Sequence, residues 1–211
     1  MLGNAGLIPA PSDHLQNKIV IETMAKALSI IGGILAILIV ILGMYIGFFG
    51  MWNFAATGTG LSGTIWINAF GGFTSNLQLS ILPTLNESLN ASPGLLWVLP
   101  GLVILVGGVL AIIPKRGTEI AGGVILLVSF GLVLLYIFSG GYFQSSTDLN
   151  TEIQAIEVLA PGVQSMPIYG STTFNLLLVS WTLSWQIGWG AILLVLCGIF
   201  ALAGSGKSKS K

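Results

Sequence analysis

Residues 95–139 read LLWVLPGLVILVGGVLAIIPKRGTEIAGGVILLVSFGLVLLYIFS: two long apolar runs with a short polar link of Lys115, Arg116, Gly117, Thr118 and Glu119 between them. A helix rises 1.5 Å per residue, so about 20 residues cross a hydrocarbon core of roughly 30 Å. Both runs reach that length, and the link is too short for anything but an antiparallel hairpin. The stretch therefore predicts spans over 94–114 and 120–139 joined by a turn over 115–119. Pro100 falls near the outer end of the first of these, where a missing amide donor is tolerated.

Two further apolar runs flank this hairpin and predict spans over 25–50 and 185–203. The rest of the composition agrees. Of the 211 residues 54% are hydrophobic and 7% charged, against about 25% charged in an ordinary soluble domain. The expected fold is an all-α membrane protein, a four-transmembrane-helix bundle, with a small, β-containing extracytoplasmic domain made by two long loops.

Orientation follows from the basic residues. Lys18, Lys26, Lys115, Arg116, Lys207, Lys209 and Lys211 are the only ones, and all fall in the leader and first turn of the first span, the 115–119 turn, or the 204–211 tail. With an even number of spans these segments share one side, and the positive-inside rule makes that side cytoplasmic. The expected location is a cell membrane, crossed several times, with residues 1–24 and 204–211 both in the cytoplasm. The loops 51–93 and 140–184 carry only Glu87, Asp148, Glu152 and Glu157 as charged residues. A polar leader containing Asp13, His14 and Glu22 ahead of so long an apolar run argues for an uncleaved anchor, not a signal peptide. Glu22 and Lys26 stand at a spacing that suits an ion pair along a helix.

Structureless connections as long as these loops are uncommon, so ordered substructure is expected in both. Thr64–Asn68 and Leu77–Ile81 alternate apolar and polar residues, which predicts a β-hairpin over 64–81 turning at Gly71 and Gly72 or at Ser75 and Asn76. In the second loop, 151–160 fits a short helix roughly. The run Phe174–Trp181 reads either as a strand against that hairpin or as an outward extension of the last helix. The two halves share a plan: span, glycine- and aromatic-rich exit, long loop without basic residues, returning span. An internal duplication would produce it.

Trp52, Trp97, Trp181 and Trp185 fall near the expected outer interface, where an indole buries its ring and keeps its N–H hydrated. Were 181–189 helical, Trp181, Trp185 and Trp189 would form one stripe. Gly43 and Gly47 form a small-xxx-small pair of the type that lets helix backbones approach closely in lipid. Asn86-Glu87-Ser88 and Asn90-Ala91-Ser92 are acceptor patterns for N-glycosylation in the first outward loop.

The chemistry of known site types is sparse. The single cysteine, Cys197, lies in an apolar run and the single histidine, His14, in the leader, so no catalytic, cofactor or metal site is expected. No charge falls at mid-depth of any span, where transport and proton relay would place one. No nucleotide-binding glycine loop appears, and the tail lysines suit topology and lipid contact better than nucleic acid. The plan resembles that of claudin-like tetraspan families, with four spans, cytoplasmic ends and a strand-bearing first outer loop. The first loop lacks their cysteine pair and Gly50-Met51-Trp52 is too short to count as their tryptophan motif, so the resemblance implies architecture alone.

The function this sequence suggests is non-catalytic: an integral membrane structural or interaction protein, an accessory subunit whose outward loops contact a partner. The alternative is a channel, transporter or lipid-handling protein acting as an oligomer. Expected partners are membrane lipids together with other membrane-protein subunits or further copies of the chain; nucleic acid is not among them.

Overall fold

The computed structural model describes residues 13–75, 78–79, 98–138, 168–176 and 179–206. Two helices in it are long and apolar enough to cross a membrane: α1 (Asp13–Gly43) and α3 (Arg116–Phe138). Two shorter apolar helices, α2 (Leu99–Ile112) and α4 (Trp189–Gly204), complete a bundle. Each packs on two neighbours in a ring, α1 against α2 and α4, and α3 against the same two, while α1 and α3 barely touch across the diagonal.

Glycine explains why a square ring forms. Successive residues on a helix point about 100° apart, close to the angle between two neighbours at the corner of a square. Adjacent small residues therefore serve both contacts at once: Gly32-Gly33 on α1, Gly107-Gly108 on α2, Gly122-Gly123 on α3 and Cys197-Gly198 on α4. A methyl placed on Gly33 would lie 2.5 Å from the Gly108 carbonyl oxygen, and one on Gly108 would lie 3.0 Å from the Gly33 carbonyl oxygen. The α3–α4 seam repeats this arrangement, with Gly123 and Gly198 each 3.1 Å from the other's carbonyl oxygen by the same construction.

The correspondence extends around the ring at one constant sequence offset of about ninety residues. Gly32 meets Cys197 and Ala201 where Gly122 meets Gly107 and Ala111; Gly33 meets Ile112 where Gly123 meets Leu202. Two helical hairpins thus pack as near-equivalents about an axis along the bundle, the contact pattern an internal duplication leaves.

Element boundaries differ from those the sequence predicts, and within the 94–114 span the helix is described only over Leu99–Ile112. The 25–50 span is a helix only as far as Gly43, after which a turn and a single 3-10 turn, Gly47–Phe49, lead out; at its other end it extends back to Asp13. Helix α3 begins at Arg116, so the 115–119 turn is shorter than expected, and Thr118 Oγ accounts for its tightness by donating to the Lys115 and Ile113 carbonyls at 2.7 and 2.9 Å. The last helix begins at Trp189, because Val179–Ile187 is a strand. The description all-α is too narrow as well, since the region beyond the helix ends is a sheet.

Six strands are described: β1 (Trp52–Gly58), β2 (Leu61–Ile67), β3 (Phe73–Ser75), β4 (Gln78–Leu79), β5 (Tyr169–Leu176) and β6 (Val179–Ile187). The sheet is open and antiparallel, in the order β3-β2-β1-β6-β5 with β4 also on β2. The 64–81 hairpin is present in modified form. Its turn is at Asn68–Gly72, where the Asn68 side-chain oxygen accepts from the Phe70 and Gly72 amides and Gly71 takes φ 73°, a backbone state other residues enter at a cost. In the apolar run 174–181, Phe174–Leu176 end β5 and Val179–Trp181 begin β6, the strand that pairs with β1. The run does not extend the helix. The 151–160 segment lies outside the described residues.

Chain direction dictates the central pairing. Strand β1 continues outward from α1, β6 feeds inward to α4, and those two helices are neighbours, so β1 and β6 meet antiparallel along seven paired positions from Trp52↔Ile187 to Gly58↔Trp181. The junction is sewn by backbone hydrogen bonds: Met51 N–H to Ile67 O at 2.7 Å, Gly188 N–H to Met51 O at 2.8 Å, and Gly190 N–H to Gly50 O at 3.1 Å. Apolar Trp52, Phe54, Ile65, Ile67, Leu183 and Trp185 are buried on one face of the sheet. They join a core continuous with Ile39 and Val40 of α1 and Leu194 of α4.

Candidate functional site at the junction of sheet and bundle

Strand alternation puts a different chemistry on the other face. Its cross-strand rows run Tyr169–Gln186–Asn53–Trp66–Thr74, then Ser171–Ser184–Ala55–Thr64, then Thr173–Thr182–Thr57–Ser62. Hydroxyls, carboxamides and two aromatic rings make this face polar without charge. Thr57, Ser62, Ser171, Thr173 and Thr182 are exposed.

Where the face meets the helices, two side chains anchor it. Trp66 is buried, its indole N–H donating to the Gly43 carbonyl at 3.2 Å, and its ring lies against Gly47. Asn53, with its amide turned donor-inward, gives hydrogen bonds to Gly47 O at 3.1 Å and to Trp52 O at 3.0 Å. Gly43 and Gly47, singled out for helix-to-helix packing, thus sit where the chain leaves α1. A methyl on Gly43 would meet the Phe49 carbonyl at 2.8 Å, and one on Gly47 the Trp66 ring at 3.0 Å.

Beside these anchors is a cleft of about 540 Å³. One wall is the polar sheet face, with Asn53, Thr64, Ser184 and Gln186. The opposing wall comes from the exit of α1 and the start of α4: Tyr45, Ile46, Phe48 and Trp189. Phe48 and Trp189 stack at 6.0 Å with their planes 17° apart. Tyr169 also lines the cleft and is exposed, as is Tyr45. The Gln186 and Ser184 side chains make no hydrogen bond to another described residue. Among the described residues no carboxylate, ammonium or guanidinium lines the space.

A smaller cleft, about 260 Å³, lies at the opposite end of the bundle among Glu22, Lys26, Arg116, Glu119 and the Gly204–Gly206 turn. Glu119 is buried there, in the first turn of α3, where the helix dipole favours a carboxylate. Glu22 and Lys26 line the same cleft, but no ion pair links them among the described residues.

The tryptophans divide between these settings. Trp52, stacked on Phe54 at 6.3 Å, and Trp185 are buried on the apolar sheet face. Trp181 shares that face, half-buried, and its indole N–H donates to Thr59 O at 3.0 Å. The stripe of Trp181, Trp185 and Trp189 does not form, because the first two lie on a strand and the third opens a helix. Trp97, Asn86 and Asn90 lie outside the described residues.

Sequence reasoning missed Gln186, Ser184 and Asn53 as members of one surface. The signal was present in 179–187, where Val179, Trp181, Leu183, Trp185 and Ile187 alternate with Ser180, Thr182, Ser184 and Gln186, a period of two that a helix cannot use. No cluster of three or more metal-binding side chains occurs among the described residues. Compared with protein-family models, curated proteins and solved structures, the chain matches none.

Proposed function

We propose that this chain is a non-catalytic integral membrane protein of four spans whose extracytoplasmic sheet contacts a partner, as an accessory or structural subunit of a membrane assembly. One observation carries the reading: the bundle is inverted relative to a soluble one. Gly32, Gly33, Ala36, Gly107, Gly108, Gly122, Gly123 and Gly198 face inward, while Ile34, Leu38, Val106, Val128, Leu196 and Ile199 are exposed on all four helices. In water that continuous aliphatic girdle would aggregate; in lipid it costs nothing, and close packing of small residues supplies the attraction.

Charge sidedness supports the orientation. Lys18, Lys26, Lys115 and Arg116 belong to the end of the bundle opposite the sheet, the end the positive-inside rule assigns to the cytoplasm. The uncharged polar sheet face supports an interaction role, because it offers hydrogen-bonding groups in a flat, regular array. Among the alternative classes, lipid handling draws on a particular feature, the cleft beside Trp189. A pore through one copy draws on none, since helix backbones touch at the glycines.

Topology is tested by removing the native thiol with Cys197→Ala and adding single cysteines. Thr57→Cys should react with an impermeant maleimide on intact cells, and Gly117→Cys only after permeabilisation. The reverse pattern would refute the orientation. Purification from native membrane in mild detergent tests the interaction role: a companion should co-elute at fixed stoichiometry, and elution as a lone monomer would sink it.

A further inference from the structure

We propose that the cleft between the polar sheet face and the Phe48–Trp189 stack is a binding site for an uncharged, hydroxyl-rich headgroup: a sugar ring presented at the outer membrane surface. This rests on the orientation proposed above, and it adds a ligand class to it.

The lining selects the ligand by elimination and by fit. An anionic group, phosphate included, finds no side-chain cation, since the sequence has no lysine or arginine in 27–114 or in 117–206, and the Gly190 and Ala191 amides at the start of α4 are given to Gly50 O and Gly188 O. A cationic group needs a carboxylate, and among the described residues none lines the cleft. A purely apolar occupant would cover Gln186 and Ser184 without giving them partners, which costs the desolvation of each polar group it leaves unmatched.

A sugar meets both walls. Its rim of hydroxyls donates and accepts, as a carboxamide and a serine hydroxyl do, and Gln186 and Ser184 offer these groups from adjacent positions on one strand face. Its C–H faces are apolar and suit the flat aromatic surfaces of Trp189 and Phe48, which are 49% and 53% exposed and already held parallel by stacking. The volume is on the scale of small-ligand sites, a few hundred Å³. Placement agrees with the chemistry, for Trp189 is the first residue of α4 and Tyr45 follows the end of α1, so the cleft lies at the level where lipid headgroups begin.

The experiment uses the full chain in phosphatidylcholine nanodiscs, titrated with neutral monohexosyl- and dihexosyl-diacylglycerols bearing glucose or galactose, and read by tryptophan emission and by lipid retained on purification. At least one glycolipid should bind saturably, with affinity lowered about tenfold by Gln186→Ala and likewise by Trp189→Leu. Phosphatidylglycerol should neither bind nor compete. Free dihexose binding as well would assign a sugar site open to soluble glycans; binding of the glycolipid alone would assign a membrane-borne ligand. No binding by any glycolipid, equal competition by phosphatidylglycerol, or indifference to both substitutions would overturn the proposal. Each variant is first checked for unchanged helix content and for outside labelling at Thr57→Cys. Failure of the labelling would strike the orientation, whereas failure of binding with labelling intact would strike only the site.

Discussion

Replacing Gly33 by alanine should destabilise the bundle, although the same change is favourable in most helices. The intrinsic preference of a helix interior for alanine over glycine is about 0.5–1 kcal/mol. At Gly33 the new methyl would stand 2.5 Å from the Gly108 carbonyl oxygen, where ordinary contact begins near 3.4 Å. The obstacle is backbone, so no rotamer change relieves it, and α1 and α2 must separate by several tenths of an ångström. Overpacking of this kind costs roughly 1–3 kcal/mol, which outweighs the propensity gain. Gly122→Ala should behave alike, since Ala111 N and Gly107 O stand at 2.5 and 2.7 Å, whereas Gly123→Ala should be milder because its nearest obstacle is the flexible Leu202 side chain. Gly131 on α3 has nothing within 4 Å of an added methyl, so Gly131→Ala is the internal control and should be neutral or stabilising. Reversible unfolding in mixed micelles, followed by far-UV circular dichroism, reads the series. If Gly33→Ala proves as stable as Gly131→Ala, the glycine-to-carbonyl seam is not what sets the helix spacing.

Other consequences follow from single contacts. Trp66→Phe keeps most of the ring but loses the N–H bond to Gly43 O, and should cost about 1 kcal/mol in the same unfolding assay while leaving helix content unchanged. Ser29 Oγ donates to Ala111 O across the α1–α2 seam at 2.7 Å; Ser29→Ala should cost about 0.6 kcal/mol, the mean for such bonds in lipid, so a loss several times larger would mean the serine does more than bridge two helices. Asn53→Asp removes the hydrogen bond to Gly47 O that holds β1 to the 47–49 turn and sets a carboxylate against two carbonyl oxygens. It should loosen the sheet from the bundle, seen as faster proteolysis within 52–75 with the helices still protected.

Reading the sequence for burial and charge located the four helices, because an apolar run of sufficient length and the sidedness of seven basic residues are properties of single segments and need no knowledge of what packs where. The same logic found strand β2, whose alternation is local, and offered Gly71 as one of two turn positions. It failed at Gly43, where a helix ends although the apolar composition continues to Phe49, since what stops it is Trp66 reaching back to the Gly43 carbonyl from a strand 23 residues on. It failed again at 179–187, where apolar content outweighed a legible alternation.

The sequence by itself thus determined that four segments hold long apolar runs and that every basic residue falls within 18–26, 115–116 or 207–211. Only the tertiary structure decided which glycines matter, because a glycine's value in a bundle depends on the carbonyl opposite it: Gly33 and Gly123 face one and Gly131 faces none. It likewise assembled the cleft, whose walls come from residues 45–66 and 169–189. No sequence period links segments that far apart; the adjacency of α1 and α4 does, by forcing β1 and β6 to pair.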